Sequence, residues 1–157
     1  FMERTGEARE RLKRATGQDV SGYRAPGAYI GHWMFDCLMQ LDFAYDSSVN
    51  PNSLFNKTDF DTRGIGTRPY WIERAGSSKK LIELPWPHKK LGPLRMPTAG
   101  GPFLRMLPVS YLAAGVEDSR RRGDTVFYLH SLDITREKLP SLASSNARRP
   151  FIFNFRG

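Results

Sequence analysis

The sequence predicts an α/β fold in which short parallel strands alternate with helices. Segments typical of strands and of amphipathic helices follow one another along the chain at roughly helix-length spacing. The 157 residues are 39% hydrophobic and 25% charged, which suits one domain with a hydrophobic core. The 14 glycines and 11 prolines indicate many turns, so a helical bundle is excluded.

The first third of the chain provides two helices and two short strands. Residues 1–16 have apolar side chains at helical spacing, and Gly17 follows them as a C-cap. Residues 20–23 form a short extended run. A second helix with a wide apolar stripe fits 30–41, and a brief strand fits 43–45.

The rest of the chain alternates irregular segments with predicted strands and one helix. Residues 50–80 are rich in Asn, Thr, Gly and Lys and predict a long surface loop. Residues 81–84 predict a strand, and 108–122 predict a helix. Residues 125–129 are β-branched and aromatic and predict the clearest strand of the chain. A last strand or docking segment is expected at 150–153.

Composition narrows the classes of partner and compartment. Twenty-four Lys and Arg against 16 Asp and Glu give a net charge of +8, which favours acidic partners in general. No recognisable nucleic-acid motif accompanies this charge, so nucleic acid is not the expected partner.

No apolar run reaches the ~20 residues of a membrane span, and no signal segment begins the chain. The chain starts at Phe1, which indicates a piece of a longer polypeptide. The single Cys37 excludes an intramolecular disulfide framework, and cytoplasm and cell envelope both remain open.

Three chemically useful side chains directly follow predicted strands. They are Arg24, Asp46 and His130. Because the carboxyl ends of parallel strands meet at one edge of a sheet, we expect them to converge. Each also has a structural interpretation: Arg24 can clamp a turn, Asp46 can cap one, and His130 can be a buried structural residue. As a functional group, His130 would be a general acid or base.

No metal site can be assembled from the remaining candidates. The three histidines are not spaced as metal ligands. His32 is expected at a helix start on the surface, and His88 is expected to be exposed. Trp71 and Trp86 lie in or beside predicted loops, where an indole either stacks on a sugar ring or fills the core.

Five stretches in order resemble the C-terminal part of a polysaccharide deacetylase domain, the NodB-homology domain of carbohydrate esterase family 4. The resemblance is to the branch linked to exopolysaccharide synthesis loci. The stretches are GYRAP (22–26), LDFAYDSS (41–48), LIELP (81–85), PTAGGPFLR (97–105) and FYLHSLD (127–133).

The resemblance implies that residues 1–157 are a single partial domain, the C-terminal portion of a distorted (β/α) barrel. The implied reaction is metal-dependent removal of N-acetyl groups from an aminosugar polysaccharide, usually with zinc. The family's metal ligands and catalytic base lie upstream of the matching stretches, so we expect the rest of the domain to supply them. The chain alone is expected to be inactive. The alternative is a non-catalytic glycan-binding or scaffold relative.

The resemblance also implies residue roles. Arg24 would orient the catalytic base, His130 would be the general acid that protonates the departing amine, and Asp46 lies near a further catalytic motif. The residues implied in substrate binding are Tyr128, Leu129, Trp86 and Arg105.

Overall fold

The computed structural model describes residues 1–54, 57–101, 103–130 and 133. It contains four helices: α1 Met2–Thr16, α2 His32–Gln40, α3 Phe103–Met106 and α4 Val109–Arg122. It contains six strands: β1 Gly22–Tyr23, β2 Tyr45–Asp46, β3 Tyr70–Glu73, β4 Lys80–Glu83, β5 His88–Leu91 and β6 Leu94–Pro97. A single 3-10 turn, Pro26–Ala28, follows β1. None of these helices is long and apolar enough to cross a membrane.

A four-stranded mixed sheet organises the fold. The strand order is β1-β2-β4-β3, with β1, β2 and β4 parallel and β3 antiparallel to β4. The register aligns Tyr23 with Asp46 and Asp46 with Glu83, so the last residues of the three parallel strands lie side by side. The predicted α/β class with parallel strands is confirmed. The described strands form an open sheet, and the barrel stays a prediction.

The hydrophobic core lies between α2 and the sheet. Helix α2 buries Phe35, Leu38 and Met39, of which only Leu38 lies on the apolar stripe predicted for 30–41. These side chains pack with Val49 and Leu81, and each fully buried side chain of this size contributes roughly 1.5–3 kcal/mol. In contrast, α1 buries no residue. The core therefore anchors the sheet, and α1 lies outside it.

A second unit consists of the β5–β6 hairpin and helix α4. The two strands pair antiparallel, and α4 packs against β5. At Gly115 a Cβ atom would lie 2.1 Å from Cγ2 of Thr98, so helix and hairpin are in close contact. His88 at the start of β5 is only 3% exposed. The prediction that His88 is exposed is wrong, because the hairpin turns it inward beneath α4.

Most sequence-based elements agree with the structure, but the β5–β6 hairpin and the short helix α3 were not predicted. Two further differences concern residues 50–80 and 125–129. The helices predicted at 30–41 and 108–122 and the strand predicted at 81–84 are confirmed, with small shifts at their ends. The predicted loop 50–80 contains strand β3. Residues 125–129 form no strand. The segment 150–153 lies outside the described residues.

Candidate functional site

Arg24 is fixed at the carboxyl end of β1. Its guanidinium donates from Nε to the carbonyl oxygen of Ser47 (2.9 Å) and from Nη2 to the hydroxyl of Ser47 (2.7 Å). Ser47 directly follows β2, and the parallel pairing of β1 with β2 brings the two residues together. Arg24 therefore clamps a turn, as one interpretation of the sequence predicted. This clamp also gives the guanidinium a fixed position.

The two serines after β2 connect three strand ends. Ser47 Oγ donates to the carbonyl of Leu84, just after β4 (2.8 Å). Ser48 Oγ accepts the backbone N–H of Ala25 (2.7 Å) and donates to Oδ1 of Asp46 (2.7 Å). The ends of β1, β2 and β4 are therefore tied by specific hydrogen bonds and not by packing alone.

Beneath these serines lies a buried carboxyl pair, Asp46 and Glu83. Both residues are 0% exposed. Oε1 of Glu83 accepts the backbone N–H of Val49 (3.0 Å), whereas Oε2 has no donor among the described residues. Burial and the neighbouring charge of Asp46 raise the pKa of Glu83 well above its usual range, and burial raises the pKa of Asp46. The pair therefore carries a proton near neutral pH.

Sequence analysis missed Glu83. The signal was present, because Glu83 is the polar residue inside the apolar stretch LIEL at 81–84. Its partner Asp46 was predicted as a catalytic residue. The structure places Asp46 below the surface, with Ser48 and Glu83 as neighbours. Asp46 therefore accepts hydrogen bonds from Ser48, next to the Arg24 clamp, and its catalytic role stays a prediction.

Arg24, Trp86, Tyr128 and His130 form a continuous group, which we call the Arg–aromatic cluster. The ring centroids of Trp86 and Tyr128 are 4.3 Å apart, and Arg24 Cζ lies 4.9 Å from the Tyr128 centroid. The His130 ring meets Tyr128 edge-on at 5.3 Å. Trp86 is 8% exposed, and its Nε1 donates to the carbonyl of Ser47 (2.9 Å). Trp86 therefore supports the cluster from inside, and Tyr128 joins its members.

Two glycines form the surface beneath Tyr128. Gly100 and Gly101 have φ angles of +83° and +50°, a conformation that residues with a Cβ rarely adopt. A Cβ at Gly100 would lie 1.8 Å from Cε1 of Tyr128, and one at Gly101 would lie 2.9 Å from its hydroxyl. The backbone of this glycine seat therefore lies directly against the tyrosine ring.

His130 lies at the exposed side of the cluster. Its side chain is 62% exposed, and its backbone N–H donates to Oδ2 of Asp133 (2.8 Å). Nδ1 of its ring lies 3.3 Å from the same oxygen. The prediction that a strand delivers His130 to a sheet edge is wrong, because residues 125–129 pair with no strand. Contacts of the Tyr128 ring hold this segment in place instead. His130 and Arg24 contact that same ring, so the two residues still lie near each other.

The two remaining predicted binding residues are less closely connected. Leu129 is exposed next to Tyr128. Arg105 lies in the short helix α3, which begins shortly after the glycine seat. No contact among the described residues joins Arg105 to the cluster. Its predicted role in substrate binding stays a prediction.

The part of the chain that the structure describes offers no ligand set for zinc. No group of three or more His, Cys, Asp or Glu side chains there could hold a metal ion. The two acidic side chains close to the Arg24 clamp, Asp46 and Glu83, form a buried pair that retains a proton. These described residues therefore do not fit a zinc site, and the resemblance assigns the metal ligands to residues outside this chain.

Comparison with known proteins identifies the family of this chain. A family described as a domain of unknown function, DUF3473, matches residues 47–154. No curated protein and no solved structure matches the chain. The matched span contains Trp86, the glycine seat, Tyr128 and His130, and it begins after Arg24. Because the match covers more than half of the residues, the chain belongs to the DUF3473 family.

Proposed function

We propose that this chain is the C-terminal part of an enzyme that removes N-acetyl groups from an aminosugar polysaccharide. The Arg–aromatic cluster would contact the substrate. One observation carries the proposal: Arg24 and His130, far apart in sequence, contact the same Tyr128 ring. Two further points support it, namely the five stretches that resemble a polysaccharide deacetylase domain and the occurrence of DUF3473 in polysaccharide deacetylase-like proteins.

His130 is the proposed general acid. Imidazole exchanges protons near neutral pH, and the exposed ring can reach a bound substrate. With Nδ1 turned toward Asp133, Nε2 is the nitrogen that would donate to the substrate. Nε2 would donate its proton to the amide nitrogen as the carbon–nitrogen bond breaks, so that the amine leaves uncharged. Asp133 would act as a positioning residue for the ring.

Arg24 is the proposed orienting cation. Two of its N–H groups are used by Ser47, and the others remain to bind a carboxylate or a sugar oxygen. Burial lowers the pKa of Arg24, but an arginine stays protonated near neutral pH. The clamp fixes the direction of this charge, and such fixed geometry is what the positioning of a catalytic base requires.

Tyr128 is the proposed contact for the sugar ring. The Arg24 guanidinium and the Trp86 ring lie against the Tyr128 ring, so its remaining edge and its phenol hydroxyl would contact the sugar. Deacetylation of this type uses a divalent cation to activate water. Because the described residues do not fit a zinc site, we propose that other residues of the same protein bind the metal.

The test is the substitution His130→Ala in the natural full-length protein. We expect acetate release from an N-acetylglucosamine oligomer to fall by ~100-fold or more, because a general acid is lost. The matched control is His32→Ala, which removes an exposed histidine outside the cluster. Near wild-type activity of the His130→Ala variant would remove His130 from the mechanism.

The second candidate function is a non-catalytic glycan-binding module. It is favoured by the Tyr128 ring stacked with Arg24, since that arrangement can hold a sugar without any metal. Elemental analysis and an acetate-release assay on the natural full-length protein separate the two functions. Bound zinc with acetate release supports the enzyme, whereas oligomer binding with neither zinc nor release supports the binding module.

A further inference from the structure

A second aromatic groove lies beside the turn that follows Arg24. Tyr29 and Trp33 line it with side chains that are 60% and 54% exposed, and its volume is about 390 Å³. Ile30 and Met34 contribute apolar surface. This volume is at the low end of the ~300–1,000 Å³ range of small-ligand sites. The Trp33 ring contacts the Phe1 ring edge-on at 5.3 Å, and more than half of both Tyr29 and Trp33 stays exposed.

Polar groups of both charges lie on the rim of this groove. Lys57 Nζ is 4.1 Å from the centre of the Tyr29 ring. Asp59 Oδ1 accepts the backbone N–H of His32 (3.1 Å), and Oδ2 faces Gly31, where a Cβ would lie 2.7 Å away. The rim therefore combines a hydrogen-bond donor and an acceptor with no net charge.

This combination fits a pyranose unit better than a peptide. The apolar faces of the indole and phenol match the C–H face of the sugar, and the ammonium and carboxylate match its hydroxyls. An acidic or basic peptide would meet a rim whose charges cancel. A neutral, hydroxyl-rich ligand is therefore the favoured occupant.

The groove also lies close to the Arg–aromatic cluster. Tyr29 is five residues after Arg24, so their Cα atoms are at most about 18 Å apart. A few units of a polysaccharide span such a distance. An oligosaccharide of a few units is therefore long enough to reach from one site to the other.

We infer that the groove between Tyr29 and Trp33 is a second sugar subsite, which binds a pyranose unit of the same polysaccharide a few units away from the unit at Tyr128. The inference rests on the proposed function for the identity of the polymer. It assigns the groove a part in the binding of long substrates and none in the chemical step.

The test compares two exposed tryptophans in the natural full-length protein. Binding of N-acetylglucosamine dimers and hexamers is measured by titration calorimetry for wild type, Trp33→Ala and Trp71→Ala. Trp71 lies on β3 with 59% exposure and is the matched control. We expect Trp33→Ala to weaken hexamer binding about tenfold and dimer binding much less, while Trp71→Ala changes neither. Equal hexamer affinity for the two variants would overturn the inference.

A third variant, Tyr128→Ala, separates this inference from the proposed function. Weaker hexamer binding in both Tyr128→Ala and Trp33→Ala supports both sites. If only Tyr128→Ala weakens hexamer binding, the inference about the groove is overturned and the proposed site at Tyr128 stands. If only Trp33→Ala weakens hexamer binding, the proposed site at Tyr128 is overturned and the groove stands. If wild type binds no oligomer, both fail. Acrylamide quenching adds a direct check, because a Trp33 emission that acrylamide does not reach would mean that protein covers the groove.

Discussion

Arg24 and His130 contact the same tyrosine, but the two halves of the site are built differently. Arg24 follows a paired strand and makes two hydrogen bonds with Ser47, whose hydroxyl is in turn bonded to the end of β4. His130 follows an unpaired segment and is held by Asp133 and by the edge of the Tyr128 ring. One half is fixed by the backbone of the sheet, and the other by side-chain contacts.

The difference matches the tasks that the proposed reaction gives to the two residues. A residue that orients another group must keep its geometry, because small displacements are costly in rate. A residue that donates a proton to a leaving group needs access to substrate and solvent. The clamped Arg24 and the exposed His130 meet these two requirements in turn.

The largest expected effect is on the fixed half, at Glu83. We expect Glu83→Ala to lower the free energy of unfolding by roughly 3 kcal/mol, because it empties a fully buried site and removes the acceptor of the Val49 N–H. Urea unfolding measures this loss. If Glu83→Ala were as stable as wild type, the carboxyl pair would not support the Arg24 clamp.

The control variant Glu83→Gln separates shape from protonation. The raised pKa means that folded Glu83 keeps a proton that the unfolded chain releases above the usual glutamate range. Wild-type stability from this group therefore falls as pH rises above about 4.5. An amide has no such titration, so Glu83→Gln should gain stability relative to wild type between pH 5 and pH 8. A constant difference would contradict the shared proton.

The next effect concerns the unit that supports the His130 half. His88 is buried beneath α4, and burial lowers its pKa to about 4 from 6.5. A lowered histidine pKa gives stability that is complete above pH 6.5 and is lost as pH falls toward 4. We expect a loss of up to about 3 kcal/mol over this window, measured by urea unfolding at several pH values.

The matched variant for this window is His88→Gln. It removes the titrating group, so its unfolding free energy should depend less on pH between 6.5 and 4 than that of wild type. The β5–β6 hairpin leads directly into the glycine seat, so loosening it should disturb Tyr128 and His130 before Arg24. Identical pH profiles for the two proteins would show that His88 does not control this unit.

The smallest expected effect is at Asp133. Asp133→Ala removes the acceptor for the His130 backbone N–H and the neighbour of Nδ1. We expect kcat for acetate release to fall about fivefold, equivalent to ~1 kcal/mol, with KM and unfolding unchanged. An unchanged kcat would mean that Tyr128 alone orients the imidazole.

The sequence was sufficient to predict an element where the local pattern and the tertiary structure agree. The helix predicted for 30–41 became α2, although only Leu38 of its three buried side chains lies on the predicted stripe. LIEL at 81–84 became β4 with its one polar residue buried. The convergence of Arg24 with His130 was also predicted. The reason given for it, three parallel strand ends, holds for Arg24 and Asp46 and fails for His130.

The failures come from contacts that lie outside any short window of sequence. Residues 125–129 have high β-propensity, but a strand needs a partner, and β3 already occupies the place beside β4. Strand β3 was not predicted because it lies within the polar stretch 50–80, although Tyr70, Trp71 and Ile72 are good strand formers. His88 looked exposed between Pro87 and Lys89 because nothing local shows that α4 covers it.

The glycine seat makes the geometry of the Arg–aromatic cluster dependent on two positions that have no side chain. A single methyl group at position 100 would displace Tyr128, and Arg24, Trp86 and His130 would lose the ring that joins them. A search for active relatives that scores only polar and aromatic residues would overlook this requirement. Bare backbone at positions 100 and 101 is as much a signature of the site as the imidazole and the guanidinium.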